Sequence, residues 1–163
     1  MAFNNLDECQ KNGTEYKVIS ISNGDKAVIN KDGTVEVSRA DGTFVKYDKD
    51  GNEIFYSYKD QWGWGYETSR VYENGLLMSS KTQYFQDGVA AGSNSFNYKY
   101  DANGREIKYE YKSFDAEGNM TQHDISENKY FDNGNLKEHY HFTWTADGNV
   151  NKGMDKYYEN GNI

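Results

Sequence analysis

The sequence predicts an all-β fold: an extended antiparallel β-meander of repeated hairpins, laid out as a single-layer or curled open sheet. Three observations predict it. Turn signals recur along the chain, with Asn23-Gly24 followed by glycines that an Asp, Asn or Glu precedes at Gly33, Gly42, Gly51, Gly75, Gly88, Gly104, Gly118, Gly134, Gly148 and Gly161. Such pairs supply the positive φ that tight hairpin turns need. Between turns the residues alternate: after Asp101-Ala102-Asn103-Gly104, Ile107, Tyr109 and Tyr111 interleave with Glu106, Lys108, Glu110 and Lys112, the period-two pattern of a strand with one aromatic and one charged face. The composition is the third, with 15 Tyr, 8 Phe, 3 Trp and no Pro. Tyrosine favours strands and buries a large face while its hydroxyl stays wet, so a thin core is expected.

Taken in order, residues 1–14 read as an N-terminal extension and 15–163 as a single β-repeat domain. Within it, 15–60 is a short-strand section, because its turn glycines stand nine residues apart at Gly24, Gly33, Gly42 and Gly51. The interval from Gly51 to Gly75 is longer and holds Gln61-Trp62-Gly63-Trp64-Gly65-Tyr66, so 61–74 reads as an aromatic junction. From 75 to 163 the glycines are spaced for longer hairpins. Two such hairpins together make a 30-residue repeat. Lys46–Lys59, K-Y-D-K-D-G-N-E-I-F-Y-S-Y-K, returns as Lys99–Lys112, K-Y-D-A-N-G-R-E-I-K-Y-E-Y-K. Likewise K-Y-F-D-N-G-N-L from Lys129 returns as K-Y-Y-E-N-G-N-I from Lys156. The chain stops at Asn160-Gly161-Asn162-Ile163, a turn with almost no returning strand, and an uncapped edge is expected there.

These units resemble the Y-D repeats of bacterial Rhs-type proteins. Y-E-N-G-N-I and F-D-N-G-N-L are similar to the MORN-variant repeats of the YwqK antitoxin family. The segment Asn23–Glu53, with its D-G-T turns, resembles the glycine-box repeats of centriolar scaffold proteins, in which such turns link strands of a free-standing sheet. The resemblances imply shells, surface binding and neutralised partners, and a bacterial origin for the long-hairpin section.

Sliding the sequence by 30 residues compares successive long strands. Tyr109 and Tyr111 fall on His139 and His141, whereas Glu110, Lys112 and Phe114 fall on Tyr140, Phe142 and Trp144. The aromatic face is therefore expected to change sides between repeats, leaving neither face as a dedicated dry core.

A formal charge of −8 disfavours nucleic acid and anionic membrane surfaces as partners, because both need clustered Lys and Arg. No apolar run is long enough for a transmembrane helix, and Met1–Gln10 lacks the regions of a signal peptide, which points to the cytoplasm. Cys9 is the single cysteine, so neither an internal disulfide nor a cysteine zinc cluster is expected.

Tests for chemistry are negative. Asp48-Lys49-Asp50-Gly51-Asn52-Glu53 has the look of a calcium loop, but no acid stands six residues past Gly51, where a bidentate ligand belongs. His139 and His141 share a strand face and would chelate a metal only if His123 or an acid joined them; the polar face of an amphipathic strand accounts for them as well. No nucleophile motif or phosphate loop occurs, so no enzyme, cofactor or metal is expected. The candidate binding residues are the aromatic strip Trp62, Trp64 and Tyr66, placed on one side by alternation, with Tyr109, Tyr111, Tyr140 and Trp144 of the repeats. The expected function is non-enzymatic: a β-repeat binding or scaffold protein that presents a sheet surface or edge to a protein partner or to itself. The rivals are a glycan or cell-wall binding module, for which Y-F-Q-D-G-V-A-A-G (Tyr84–Gly92) and the tryptophans speak, and an acidic antitoxin or immunity protein.

Overall fold

A computed structural model of the chain describes residues 24–160 in full and residues 3–11 and 14–21 by their backbone pairing. All regular structure among them is β. The strands are β1 (Phe3–Lys11), β2 (Thr14–Ile21), β3 (Lys26–Asn30), β4 (Val35–Ser38), β5 (Phe44–Tyr47), β6 (Glu53–Lys59), β7 (Trp64–Glu73), β8 (Leu76–Gln86), β9 (Val89–Tyr100), β10 (Glu106–Phe114), β11 (Met120–Tyr130), β12 (Leu136–Thr145) and β13 (Val150–Lys156). They form one antiparallel sheet in strict chain order, and each strand touches only the strand before it and the strand after it. The sheet is an open meander, not a barrel. Residues 1–14, read as an extension, contain β1, which pairs with β2 from Lys11 opposite Thr14. The final turn lies outside the described residues beyond Asn160.

The turns explain the spacing. In eight of them the chain closes a five-residue turn, its positions counted from the residue whose N–H donates, as at Asp115, whose N–H donates to Asn119 O at 3.0 Å while Gly118 N–H donates to Asp115 O at 3.2 Å. This is a type I turn followed by a left-handed residue, and that residue is the glycine; Gly118 has φ of 85°. An aspartate side chain locks the loop from one of two places. Asp48, Asp60, Asp101 and Asp115 stand at its first residue and accept the backbone N–H four residues on. Asp32, Asp41 and Asp147 stand at its third position and accept the N–H two residues on, as Asn133 also does. Two hairpins differ. Asn74-Gly75 and Asp87-Gly88 have both residues at positive φ, the two-residue turn that suits long, regular strands, and they flank β8.

The interval from Gly51 to Gly75 hides one more turn of the common kind. Asp60 N–H donates to Trp64 O at 2.8 Å, and Gly63 takes φ of 85°. Trp62 occupies the third position, where other copies carry Asp, Asn or Glu. The expected junction is thus an ordinary hairpin, and β7 pairs along its length with β6 and β8.

Among the described residues no second layer covers the sheet. It exposes 10790 Å², against roughly 8,300 Å² for a compact chain of this mass. Register defines two faces. Directly opposed residues share a face, so Ala27↔Val37↔Val45↔Tyr56↔Thr68↔Thr82↔Asn94↔Ser113 is one continuous row across eight strands. We call this the tyrosine face. On the other, the lysine face, lie Lys46, Lys59, Lys81, Lys99, Lys108, Lys112 and Lys129. Leaving glycine aside, the buried residues among those described, Ala27, Thr43, Val45 and Thr68, all lie on the tyrosine face, and Val45 is fully buried. The expectation that neither face is a dedicated core therefore fails for β3 to β5, where short strands carrying Val and Ala turn Ala27 and Val45 to one buried side. It holds further on. Tyr109 and Tyr111 share the tyrosine face with Ser126 and Asp124 of β11 and His141 and Thr143 of β12, while Tyr140, Phe142 and Trp144 lie on the lysine face. The aromatic side switches as the 30-residue shift predicts, because the bulges sit at strand ends, outside the residues compared.

Two measurements test this layout. Val45→Ala is expected to cost about 2 kcal/mol in urea unfolding, from lost transfer energy and a cavity, whereas Val150→Ala, on a side chain 58% exposed, should stay within about 0.5 kcal/mol. Equal effects would remove the one-sided core. The turns set acid stability. Hydrogen bonds hold the carboxyls of Asp32, Asp41, Asp48, Asp101, Asp115 and Asp147 below the usual carboxylate range, led by the Thr34 N–H at Asp32 and the Asn119 side chain at Asp115. A depressed folded pKa gives stability that is present above the unfolded value and lost as pH falls through the folded one. Stability should therefore fall steeply below about pH 4. Asp115→Asn, which keeps an acceptor without a charge, should flatten that limb.

Candidate functional site

The tyrosine face between β6 and β10 gathers the aromatics. Tyr58 stands opposite Tyr66, and Tyr66 opposite Tyr84, in adjacent strands. Tyr56 stacks on Tyr66 with centroids 5.5 Å apart and planes 19° from parallel; Trp64 lies 5.5 Å from Tyr66 and 6.3 Å from Tyr58. Tyr66 is the hub, because it also meets Tyr84 at 6.4 Å. A second group forms on β9 and β10, where Tyr98↔Tyr109 and Phe96↔Tyr111 are direct cross-strand pairs with centroids 5.6 and 4.9 Å apart. Tyr100 stacks on Tyr98 and donates its hydroxyl to Leu77 O at 3.0 Å. Such pairs contribute about 0.5–1.5 kcal/mol each beyond area burial, so the groups hold the sheet together as well as covering it.

Between the two groups runs a band of short side chains, Thr68, Thr82, Ser80, Asn94 and Gly92. Thr68 and Thr82 hydroxyls lie 2.9 Å apart, and Asn94 Nδ2 donates to Tyr84 Oη at 2.8 Å. Gly92 admits no side chain, since a Cβ there would stand 2.8 Å from Phe114 O. The tyrosine face from β5 to β10 is poor in charge. Arg70 is ion-paired to Glu53, and Glu106 stands at the end of β10.

The predicted binding residues divide accordingly. Trp64 and Tyr66 belong to the first group and Tyr109 and Tyr111 to the second. Tyr140 and Trp144 lie on the opposite face, beside Met154 and Val150 of β13. Trp62 does not extend the strip, because strand alternation stops at the Asp60–Gly63 turn, and its side chain is 73% exposed there. Sequence reasoning missed Tyr56, Tyr58, Tyr84, Phe96 and Tyr98 as members of the site. Their signal was the hairpin register: once turns are placed, opposed tyrosines follow by counting.

The other constellations resolve by register. His139 and His141 lie on the tyrosine face and His123 on the lysine face, so His123 cannot complete their chelate. His139 Nδ1 lies 2.8 Å from Asn128 Oδ1, while the His141 ring sits over Gly153. His123 Nε2 is 2.9 Å from Glu110 Oε1, and Lys112 first, then His123, hold the Glu110 carboxyl below its ordinary value. In the calcium-like loop Asp48 accepts Asp50 N–H, Asn52 N–H and Asn52 Nδ2, so both of its oxygens serve the turn. On the lysine face an open groove of about 300 Å³ crosses Gly65 between Ser57, Lys59, Glu67 and Phe85. No protein-family model matches the chain, and no curated protein matches it.

The phenols report the packing. Burial first, and then the bond to Tyr56 and the neighbouring phenols, push Tyr66 above the ordinary tyrosine value; burial likewise raises Tyr98, Tyr100, Tyr109 and Tyr130. A raised folded pKa gives stability that is present below the unfolded value and lost as pH rises through the folded one. Ultraviolet titration should show a late group of phenols above about pH 10, with stability falling over the same window. Tyr66→Phe should shrink the late group; an unchanged curve would place Tyr66 in free solvent.

Proposed function

We propose that the chain is a non-enzymatic β-repeat binding or scaffold protein that offers the surface of its sheet to a protein partner. One observation carries this reading: an aromatic, charge-poor face from β6 to β10 that no second layer covers. A face meant only for water would carry charge as the lysine face does. Half-buried tyrosines on a rigid sheet supply large contact area at low entropic cost and hydroxyls that bond across an interface. The surface is favoured over the outermost described strand at the C-terminal side, because β13 carries Lys152, Asp155 and Lys156, charges that oppose strand addition.

A glycan is the second reading, favoured by Trp64, which is 40% exposed at the rim of the first aromatic group. Capture experiments with wild type, Tyr66→Lys and the lysine-face variant Lys81→Glu separate the readings. The protein-surface reading expects a captured protein to be lost with Tyr66→Lys, by about tenfold or more in affinity, and kept with Lys81→Glu. Capture indifferent to Tyr66→Lys would overturn it. Binding on a glycan array that disappears with Trp64→Ala would replace it with the sugar-binding reading.

A further inference from the structure

One contact in the first aromatic group differs in kind from the rest. Tyr66 meets Trp64, Tyr58 and Tyr84 with planes inclined by 57°, 48° and 48°, so the edge of one ring points towards the face of the other. Tyr56 and Tyr66 lie 19° from parallel with centroids 5.5 Å apart. At a van der Waals gap of about 3.5 Å, that spacing slides one ring by roughly 4 Å and leaves only the ring edges facing, their nearest carbons about 4 Å apart. Tyr66 shares a side-chain hydrogen bond with Tyr56, so the facing edges are the phenol ends, where the carbons beside each C–O bond lie. The pair joins β6 to β7, since Tyr56 stands opposite Thr68 and Tyr66 opposite Tyr58. Tyr98 and Tyr100 are also 19° from parallel, but their centroids are 6.4 Å apart on one strand, and the Tyr100 hydroxyl is committed to Leu77 O.

We propose that Tyr56 and Tyr66 are a site of oxidative modification, where a haem peroxidase with hydrogen peroxide couples them into a dityrosine that ties β6 to β7. Each phenol loses one electron and one proton and becomes a phenoxyl radical, whose unpaired electron is shared with the ring carbons beside the C–O bond. Two such carbons, one on each ring, pair their electrons in a C–C bond. The hydrogens they carry then move to the oxygens, which restores both phenols. The tyrosines lose two hydrogen atoms in all, and the peroxide takes them up to become two molecules of water. The sheet supplies what the coupling needs. Register in the hairpin holds the two edges together, so the second radical meets its partner within the same chain rather than by collision, and the face is uncovered among the described residues and open to the oxidant. The inference rests on the geometry of this pair and stands apart from the reading of the face as a binding surface.

Treatment of the intact folded chain with a haem peroxidase and hydrogen peroxide, followed by mass spectrometry and peptide mapping, tests this. The expected product keeps the monomer mass of 18.8 kDa less two hydrogens, shows the blue fluorescence of a biphenol, and yields a cross-linked peptide pair joining Tyr56 to Tyr66. Its yield should stay constant over a roughly hundredfold dilution of the protein and fall about tenfold or more in urea that leaves the peroxidase active on a tyrosine peptide, because the rings are then no longer held together. Tyr66→Phe and Tyr56→Phe, which keep the rings and lose the hydroxyls, should each abolish that product, while Tyr98→Phe leaves it unchanged. The wild-type map decides without variants. Coupling that maps mainly to other tyrosines, that appears only at twice the monomer mass, or that proceeds as well in urea overturns the proposal. So does an unmodified chain under conditions that couple a tyrosine peptide. None of these outcomes bears on capture by the tyrosine face, which Tyr66→Lys tests.

Discussion

Everything in this molecule depends on lateral packing within one layer. A conventional sheet buries a face against helices or a second sheet and takes its stability from that interior. Here each strand meets only its two neighbours, so a side chain is covered by the residues beside it in its row and along its strand. That favours wide, flat side chains. Tyrosine spans the distance to the next strand, excludes water from the backbone beneath, and leaves its hydroxyl exposed without cost. Small aliphatics achieve the same only where strands are short, which is why Val45 is fully buried and why burial elsewhere is partial.

Lateral packing makes register critical, and register belongs to the turns. A slip of one residue would exchange the tyrosine and lysine faces, pairing Lys with Tyr along every hairpin. The aspartates prevent it locally. By accepting N–H groups two or four residues ahead, they close each loop at one length, and glycine takes the left-handed position that another residue would enter only with strain. Part of the chain's acidity is therefore structural: Asp32, Asp41, Asp48, Asp60, Asp101, Asp115 and Asp147 serve the turns. The lysines are distributed by the opposite logic, spread over one face and balanced by pairs such as Lys46–Glu36, Lys108–Glu127 and Lys129–Glu138.

Much of this was legible in the sequence. The meander and the switch of the aromatic side both follow from Asx-Gly positions and period-two counting. The failures differ in cause. Trp62-Gly63 was missed as a turn because the third loop position was taken to require Asp, Asn or Glu, whereas the geometry needs only Asp60 behind it and Gly63 after it. That omission produced the aromatic junction and the misplaced strip. Residues 1–14 were set aside although Asn12-Gly13, the same hairpin signal, stands between β1 and β2. The aromatic groups themselves were only half visible. Composition gives the number of tyrosines, but which of them meet follows only when every turn is placed, the one at Asp60–Gly63 included, and the registers are counted out strand by strand.

The separation of charge between the faces bears on what the sheet is for. Solubility alone is satisfied by the acidic turns, so the lysine face and the tyrosine face could be equally mixed at no loss of dispersion. They are not. On the lysine face Lys99 stands directly opposite Lys108, an unfavourable pair that Glu127 on the next strand relieves. The tyrosine face holds no such arrangement between β6 and β9, apart from Arg70 and its partner Glu53. Moving one lysine across would spread the charge and spare the repulsion, yet it would leave an ammonium among phenols in the row of Tyr58, Tyr66 and Tyr84. The sheet tolerates like-charge crowding on one side and keeps the other neutral. That asymmetry is what separates a surface shaped for contact from one that is merely uncovered.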